Sequence, residues 1–216
     1  MENIFIFRHG QSYFNQLKKY TGNLDAPLTI NGVKQARHAA LNFSYNIDVM
    51  YSSSLSRSVE TALVFARTYL KSSHRIPLII YESSKNKHTN LLHVLPIIID
   101  KRLNERNYGV VQGLSSLDVL DDYGKKLVYD WKNTLHAAPD EAERLFDVKN
   151  RIDCFVNDVV YSEENVNKNI AIFSHQNIIK MLDYTLVNPN MVCNGIDNCS
   201  YKHYTIDEQR SVQIRN

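Results

Sequence analysis

Cysteine is scarce in this chain: three in 216 residues, Cys154, Cys193 and Cys199. An odd count with no CxxC spacing argues against a disulfide framework or a cysteine zinc site and fits free thiols in a reducing compartment. Long apolar runs are absent. Stretches such as Val94–Ile99 fall far short of the roughly 18 residues of a membrane span. The opening Met1-Glu2-Asn3-Ile4-Phe5-Ile6-Phe7 has neither a basic segment nor a small-residue cleavage site. It does not read as a secretory signal, and a cytoplasmic location is expected. The sequons at Asn42 and Asn198 are then chance triplets. Charge of one sign is also missing, since 25 Lys and Arg against 23 Asp and Glu leave +2. That balance argues against a general nucleic-acid or membrane-surface binder but leaves room for a local basic pocket. No repeat, no low-complexity tract and no carboxylate cluster with metal-ligand spacing occurs. A chain this long can bury about 70% of its unfolded surface, and one domain spanning 1–216 is expected.

What is present is an alternation of short apolar runs and helical stripes. Ile4–Phe7 reads as a buried strand ending at Arg8-His9-Gly10. Thr29 is a helix N-cap, with Val33, Ala36, Ala40 and Phe43 at helical spacing behind it. Asp48–Tyr51 reads as a strand, Ser52-Ser53-Ser54 as a turn, and a helix follows from about Ser56 with Val59, Leu63 and Ala66 on one face. Leu78–Tyr81 and Ile97–Ile99 are strand candidates. Between them Glu82–Asn90 is polar and lysine-rich, a surface insertion placed near 82–95. A helix over about 141–160 aligns Leu145, Val148, Ile152, Phe155 and Val159. Ile170–Phe173 is a strand ending at Ser174-His175, a helix begins near Asn177, and Tyr201–Ile206 closes the series. This alternation predicts an α/β fold, three layers with a mostly parallel central sheet.

The layout brings Arg8-His9 and Ser174-His175 just past strand ends, with Arg57 in the turn or first helical residues after another. In open α/β sheets, ligands bind at that edge. Two Arg and two His around one crevice make an anion site suited to a phosphoryl group, because the guanidinium fork matches phosphate oxygens. A neutral His is also a nucleophile. Phosphoryl transfer asks chiefly for positioning and positive charge, plus an acid to protonate the leaving oxygen. Glu105, after the Ile97–Ile99 strand, is placed to serve. The remaining histidines, His74, His88 and His203 among them, belong to no such constellation.

These residues carry a resemblance. Arg8-His9-Gly10-Gln11-Ser12 with Asn15 is similar to the opening motif of the histidine phosphatase superfamily, and the cofactor-dependent phosphoglycerate mutase branch in particular. The likeness continues through Thr21-Gly22, Pro27-Leu28-Thr29-Ile30-Asn31-Gly32, Ser53–Thr61 and Leu103-Asn104-Glu105-Arg106-Asn107-Tyr108-Gly109. It extends through Gln112-Gly113-Leu114, Asp122-Tyr123-Gly124 and Trp131-Lys132 to Ser174-His175-Gln176-Asn177. The resemblance implies that His9 becomes phosphohistidine and that Arg8, Arg57 and His175 clamp the phosphoryl oxygens. Glu105 would be the acid and then the base. Ser12, Asn15, Thr21, Gly22, Tyr108, Gln176 and Asn177 would line the substrate side. It implies no metal, a small phosphorylated substrate, and 2,3-bisphosphoglycerate as donor only for a mutase. Relatives of this kind are often dimers, so a homodimer is one expectation.

Departures from the mutase pattern decide the subfamily. A lysine of that branch is Ser116 here, its arginine pair is Lys132-Asn133, and the glycine after its second histidine is Gln176. Losing about two of three cationic contacts, at roughly 1.5–3 kcal/mol each, weakens retention of a bisphosphorylated intermediate by orders of magnitude. Weak retention favours hydrolysis, so a phosphatase on a mutase-like frame is the leading expectation. A mutase with rewired contacts comes second. A phosphate-binding module without turnover is the non-enzymatic alternative.

Overall fold

The structure is a computed structural model that describes residues 2–72, 75–81, 93–187, 195–207 and 209–215. Cys193, His74, His88 and the polar stretch over 82–92 lie outside these residues. The elements, in chain order, are β1 (Glu2–Arg8), α1 (Tyr13–Gln16), α2 (Ile30–Leu41), β2 (Val49–Ser52), α3 (Ser56–Tyr69), β3 (Ile76–Tyr81) and β4 (Val94–Ile99). There follow α4 (Ser116–Asn133), α5 (Leu145–Phe155), β5 (Ile170–Ser174), α6 (Gln176–Leu186), β6 (Tyr201–Ile206) and β7 (Val212–Arg215). The strands form one seven-stranded sheet in the order β3-β4-β2-β5-β1-β6-β7. The first five run parallel, and β6 and β7 join as antiparallel neighbours.

Alternate residues of the central strands enter opposite cores, as the period-two geometry of a strand requires. Phe5 and Phe7 pack with Met50, Ala171, Phe173 and the Ala62, Phe65 and Ala66 face of α3. Ile4 and Ile6 pack with Ile170, Ile172, the Val148–Ile152–Phe155 stripe of α5, and Ile178, Ile179 and Leu182 of α6. The result is a three-layer α/β/α domain. Each such apolar side chain contributes about 1.5–3 kcal/mol when fully buried, so both layers are held by the same strands. Among the described residues no helix is long and apolar enough to cross a membrane.

The structure departs from the sequence reading in definite ways. The helix expected from 141 starts at Leu145, because Glu141 sits at φ +59°, outside the helical region. Its last turn, Val156–Val160, widens into a π-helix. All five residues of the expected stripe are nonetheless buried. Val59 and Leu63 only flank the core, which α3 meets through Ala62, Phe65 and Ala66. Phe43 is buried but lies past the end of α2. Val94 and Leu95, assigned to the polar insertion, belong to β4, where Leu95 is fully buried. Helix α4 was not among the expected elements. Gly124 breaks it in two with φ +76° and ψ 157°, a conformation glycine adopts without steric cost.

Candidate active site

Neighbouring strand ends bring the expected residues together. β1 and β5 are adjacent and in register, with Arg8 opposite Ser174. His9 and His175 therefore leave the same edge, and their ring centroids lie 5.0 Å apart. The turn after β2 adds Arg57, in the first turn of α3. A cavity of about 440 Å³ opens at this edge, with Arg8, His9, Arg57 and Glu105 in its wall.

His9 is 4% exposed. Its Nδ1 lies 2.6 Å from the carbonyl oxygen of Gly10. A carbonyl only accepts, so Nδ1 carries the proton and Nε2 the lone pair. Burial pushes the His9 pKa well below the ordinary histidine value, and Arg57 and Arg8 push the same way. The ring is thus a neutral imidazole with a free Nε2, the state a nucleophile needs. His175 is also held neutral, first by burial and then by Arg57 and His9. It is fully buried beside His9, with Nε2 bound to Ser53 Oγ at 2.7 Å.

Arg57 is 1% exposed and spends its two terminal nitrogens on the carbonyls of Leu24 and Gly22, at 2.8 and 2.7 Å. Burial lowers its pKa to about 10. Arg8 donates to Ile196 O at 2.7 Å. Arg8 Nε, Arg57 Nε and His175 Nδ1 are all buried without a hydrogen-bond partner. Buried polar groups are normally satisfied. Three unsatisfied nitrogens on the residues around one imidazole suit a group rich in acceptor oxygens. The Thr21-Gly22 segment stays close because Gly22 has φ +55° and a Cβ there would meet Gln112 Oε1 at 2.0 Å.

Among the described residues Glu105 is the one carboxylate of the cavity wall. Its Oε1 accepts from the Arg106 backbone N–H at 2.8 Å and from Asn177 Nδ2 at 3.2 Å. Asn177 Nδ2 also donates to Tyr108 Oη at 2.9 Å. One carboxylate oxygen is thereby occupied, and the other is left for chemistry. Arg106 does not pair with the carboxylate. Its guanidinium is fully buried and binds the carbonyls of Glu143, Trp131 and Ala137 at 2.6, 2.5 and 3.1 Å. It ties the Glu105 segment to the end of α4.

Of the remaining expected residues, Asn15, Thr21, Gly22, Tyr108, Gln176 and Asn177 line the cavity, and Ser12 does not. Ser12 is fully buried and caps α1, exchanging hydrogen bonds with Asn15 at 3.3 and 3.2 Å. The sequence reading missed Lys19, Lys180 and Ser53. Lys180 lies four residues after Gln176 and three after Asn177, on the same face of α6, so helical spacing was the available signal. Its amine donates to Lys132 O and Asn133 Oδ1 at 2.8 and 3.3 Å. Lys132 in turn stands 5.3 Å from the Tyr20 ring centroid. Among the described residues no group of three His, Cys, Asp or Glu side chains is placed to hold a metal ion.

The family model described as the histidine phosphatase superfamily (branch 1) matches residues 4–77 and 86–215. The chain belongs to the histidine phosphatase superfamily. A 2,3-bisphosphoglycerate-dependent phosphoglycerate mutase of Chlamydia trachomatis serovar L2b is 31% identical over 188 residues, covering 84% of this chain and 82% of that protein. A mutase of the same description from Arabidopsis thaliana is 29% identical, covering 83% of this chain and 56% of that protein. Among solved structures, a mycobacterial glucosyl-3-phosphoglycerate phosphatase superposes with TM-score 0.78 at 22% identity, covering 100% of this chain and 98% of that one. The α-ribazole phosphatase of Shigella flexneri gives 0.72 at 22%, covering 99% and 94%. At that identity the likeness speaks to the fold. This histidine phosphatase superfamily member thus has mutases as sequence relatives and phosphatases as structural neighbours, and it is an enzyme of one of these kinds.

The two neutral histidines make stability pH-dependent. Their folded pKa values lie below the unfolded value of about 6.5. Below that pH the unfolded chain binds more protons than the folded one, so stability is present above about pH 6.5 and falls as the solution is acidified. Each histidine adds a slope of up to about 1.4 kcal/mol per pH unit. Urea unfolding between pH 7 and 5 should show this decline, and His175→Asn should flatten it. An unchanged slope in that variant would mean that His175 is protonated in the fold.

Proposed function

We propose that this protein hydrolyses a small phosphomonoester through a phosphohistidine at His9. The observation that carries the reading is the neutral His9, its Nε2 free, beside buried Arg8 and Arg57 nitrogens that lack partners. His9 Nε2 attacks phosphorus, a P–N bond forms, and the P–O ester bond breaks in line. Arg8 and Arg57 neutralise the charge on the equatorial oxygens, and neutral His175 donates a hydrogen bond to them. Glu105 gives its proton to the leaving oxygen, then takes one from the water that attacks the phosphohistidine. His9 and inorganic phosphate are released, and Glu105 is protonated again. Hydrolysis is favoured over transfer back to substrate because Ser116 and Asn133 stand in the cavity wall where mutases carry cations.

A second reading, a phosphoglycerate mutase supplied with 2,3-bisphosphoglycerate as donor, draws on the names of the sequence relatives and on Lys19, Lys132 and Lys180 around the cavity. Phosphorus NMR with 3-phosphoglycerate and a trace of 2,3-bisphosphoglycerate separates the two. Hydrolysis gives only inorganic phosphate, whereas a mutase gives 2-phosphoglycerate. Lys132→Ala should raise KM for 3-phosphoglycerate about tenfold while leaving 4-nitrophenyl phosphate unchanged, if the lysines hold a second anionic group. Equal effects on both substrates would remove the lysines from recognition.

A further inference from the structure

Ser53 and His175 form a fully buried contact that the reaction above leaves unused. Ser53 lies in the turn between β2 and α3. Its backbone N–H donates to Phe173 O of β5 at 3.2 Å, which fixes the turn against the strand that carries His175. Its Oγ lies 2.7 Å from His175 Nε2, and both residues are 0% exposed. The only other hydrogen bond at that oxygen, among the described residues, comes from the Leu55 N–H at 3.3 Å. Leu55 donates, so the hydroxyl proton has a single acceptor in reach, the Nε2 lone pair.

We infer that Ser53 is a positioning residue that selects the tautomer of His175, holding its proton on Nδ1 so that this nitrogen donates to the phosphoryl oxygens during transfer. The inference rests on the phosphoryl-transfer reading and names one of the parts that reading requires. A neutral imidazole has one N–H, and the partner of one nitrogen decides which nitrogen carries it. With Nε2 accepting from Ser53, the proton sits on Nδ1, the nitrogen that is buried and unpartnered here. The opposite tautomer would leave the Ser53 hydroxyl proton without an acceptor. It would also turn a lone pair, instead of a donor, toward a group rich in negative charge. The neighbouring His9 is fixed in the matching sense by Gly10 O. One imidazole is thus set as nucleophile and the other as donor.

The test compares ¹⁵N-labelled wild type, Ser53→Ala and Ser53→Thr, with His175 signals assigned by their loss in His175→Asn. Long-range ¹H–¹⁵N correlations should show a protonated Nδ1 and an unprotonated Nε2 in wild type and Ser53→Thr, and a shift toward the other tautomer in Ser53→Ala. Phosphorylation of His9 by 4-nitrophenyl phosphate in a single turnover should slow about 10- to 100-fold in Ser53→Ala, with Ser53→Thr near wild type. A protonated Nε2 in wild type overturns the inference. So does a Ser53→Ala variant that slows with its tautomer unchanged, since that loss is packing alone. A wild type whose His9 is never phosphorylated contradicts the phosphoryl-transfer reading instead, and the tautomer measurement separates the two failures.

Discussion

Replacing His9 with Ala should lower hydrolysis of 4-nitrophenyl phosphate by about 10⁴-fold or more. The loss belongs almost wholly to kcat, because Arg8 and Arg57 remain to bind the phosphoryl group. His175 cannot take over as nucleophile, because its Nε2 is engaged by Ser53. The variant should fold, since truncation removes one buried imidazole and leaves the β1–β5 register intact. Steady-state assays with a urea unfolding curve as control check this. Retention of more than about a hundredth of wild-type kcat would place the nucleophile elsewhere.

Glu105→Gln should produce a loss that depends on the leaving group. Glutamine keeps the shape and can still accept from the Arg106 N–H and Asn177 Nδ2 through its amide oxygen. It has no proton to give at the other position. General-acid catalysis contributes about 10²- to 10⁴-fold. Phenyl phosphate, with a poor leaving group, should lose turnover in that range. 2,4-Dinitrophenyl phosphate needs no protonation of its leaving group and should lose less than about tenfold in phosphorylation of His9. A plot of rate against leaving-group pKa should therefore steepen in the variant. Parallel losses for both esters would reduce Glu105 to a structural anchor.

The sheet and its two cores were legible in the sequence because strands covered by helices read as continuous apolar runs: Ile4–Phe7, Ile97–Ile99 and Ile170–Phe173 all stand where expected. Thr29 was legible from its cap chemistry, and the start of α3 near Ser56 from helical spacing. Helix α4 was not, because Gly124 interrupts it with a non-helical conformation, and β7 was not, because it is only four residues long and mostly exposed. In the site, His9, Arg57 and Glu105 were readable from their places after strand ends. Ser53 and Lys180 were not. Ser53 meets His175 across 122 positions of sequence, a pairing no local pattern encodes. Lys180 reaches the cavity only because α6 starts at the same strand end as His175. Ser12 illustrates the reverse, a residue in the right motif whose hydroxyl serves a helix end instead of the cavity.

A phosphate-binding module without turnover would keep the same cationic pocket, so affinity for phosphate does not separate it from an enzyme. Covalent chemistry does. The most direct measurement mixes the protein with 4-nitrophenyl phosphate, quenches in base within a turnover, and locates the phosphate by phosphorus NMR and peptide mapping. One acid-labile, base-stable phosphoryl group is expected on Nε2 of His9, absent in His9→Ala and longer-lived in Glu105→Gln. Turnover with no phosphohistidine at His9, or phosphate found on another residue, would contradict it.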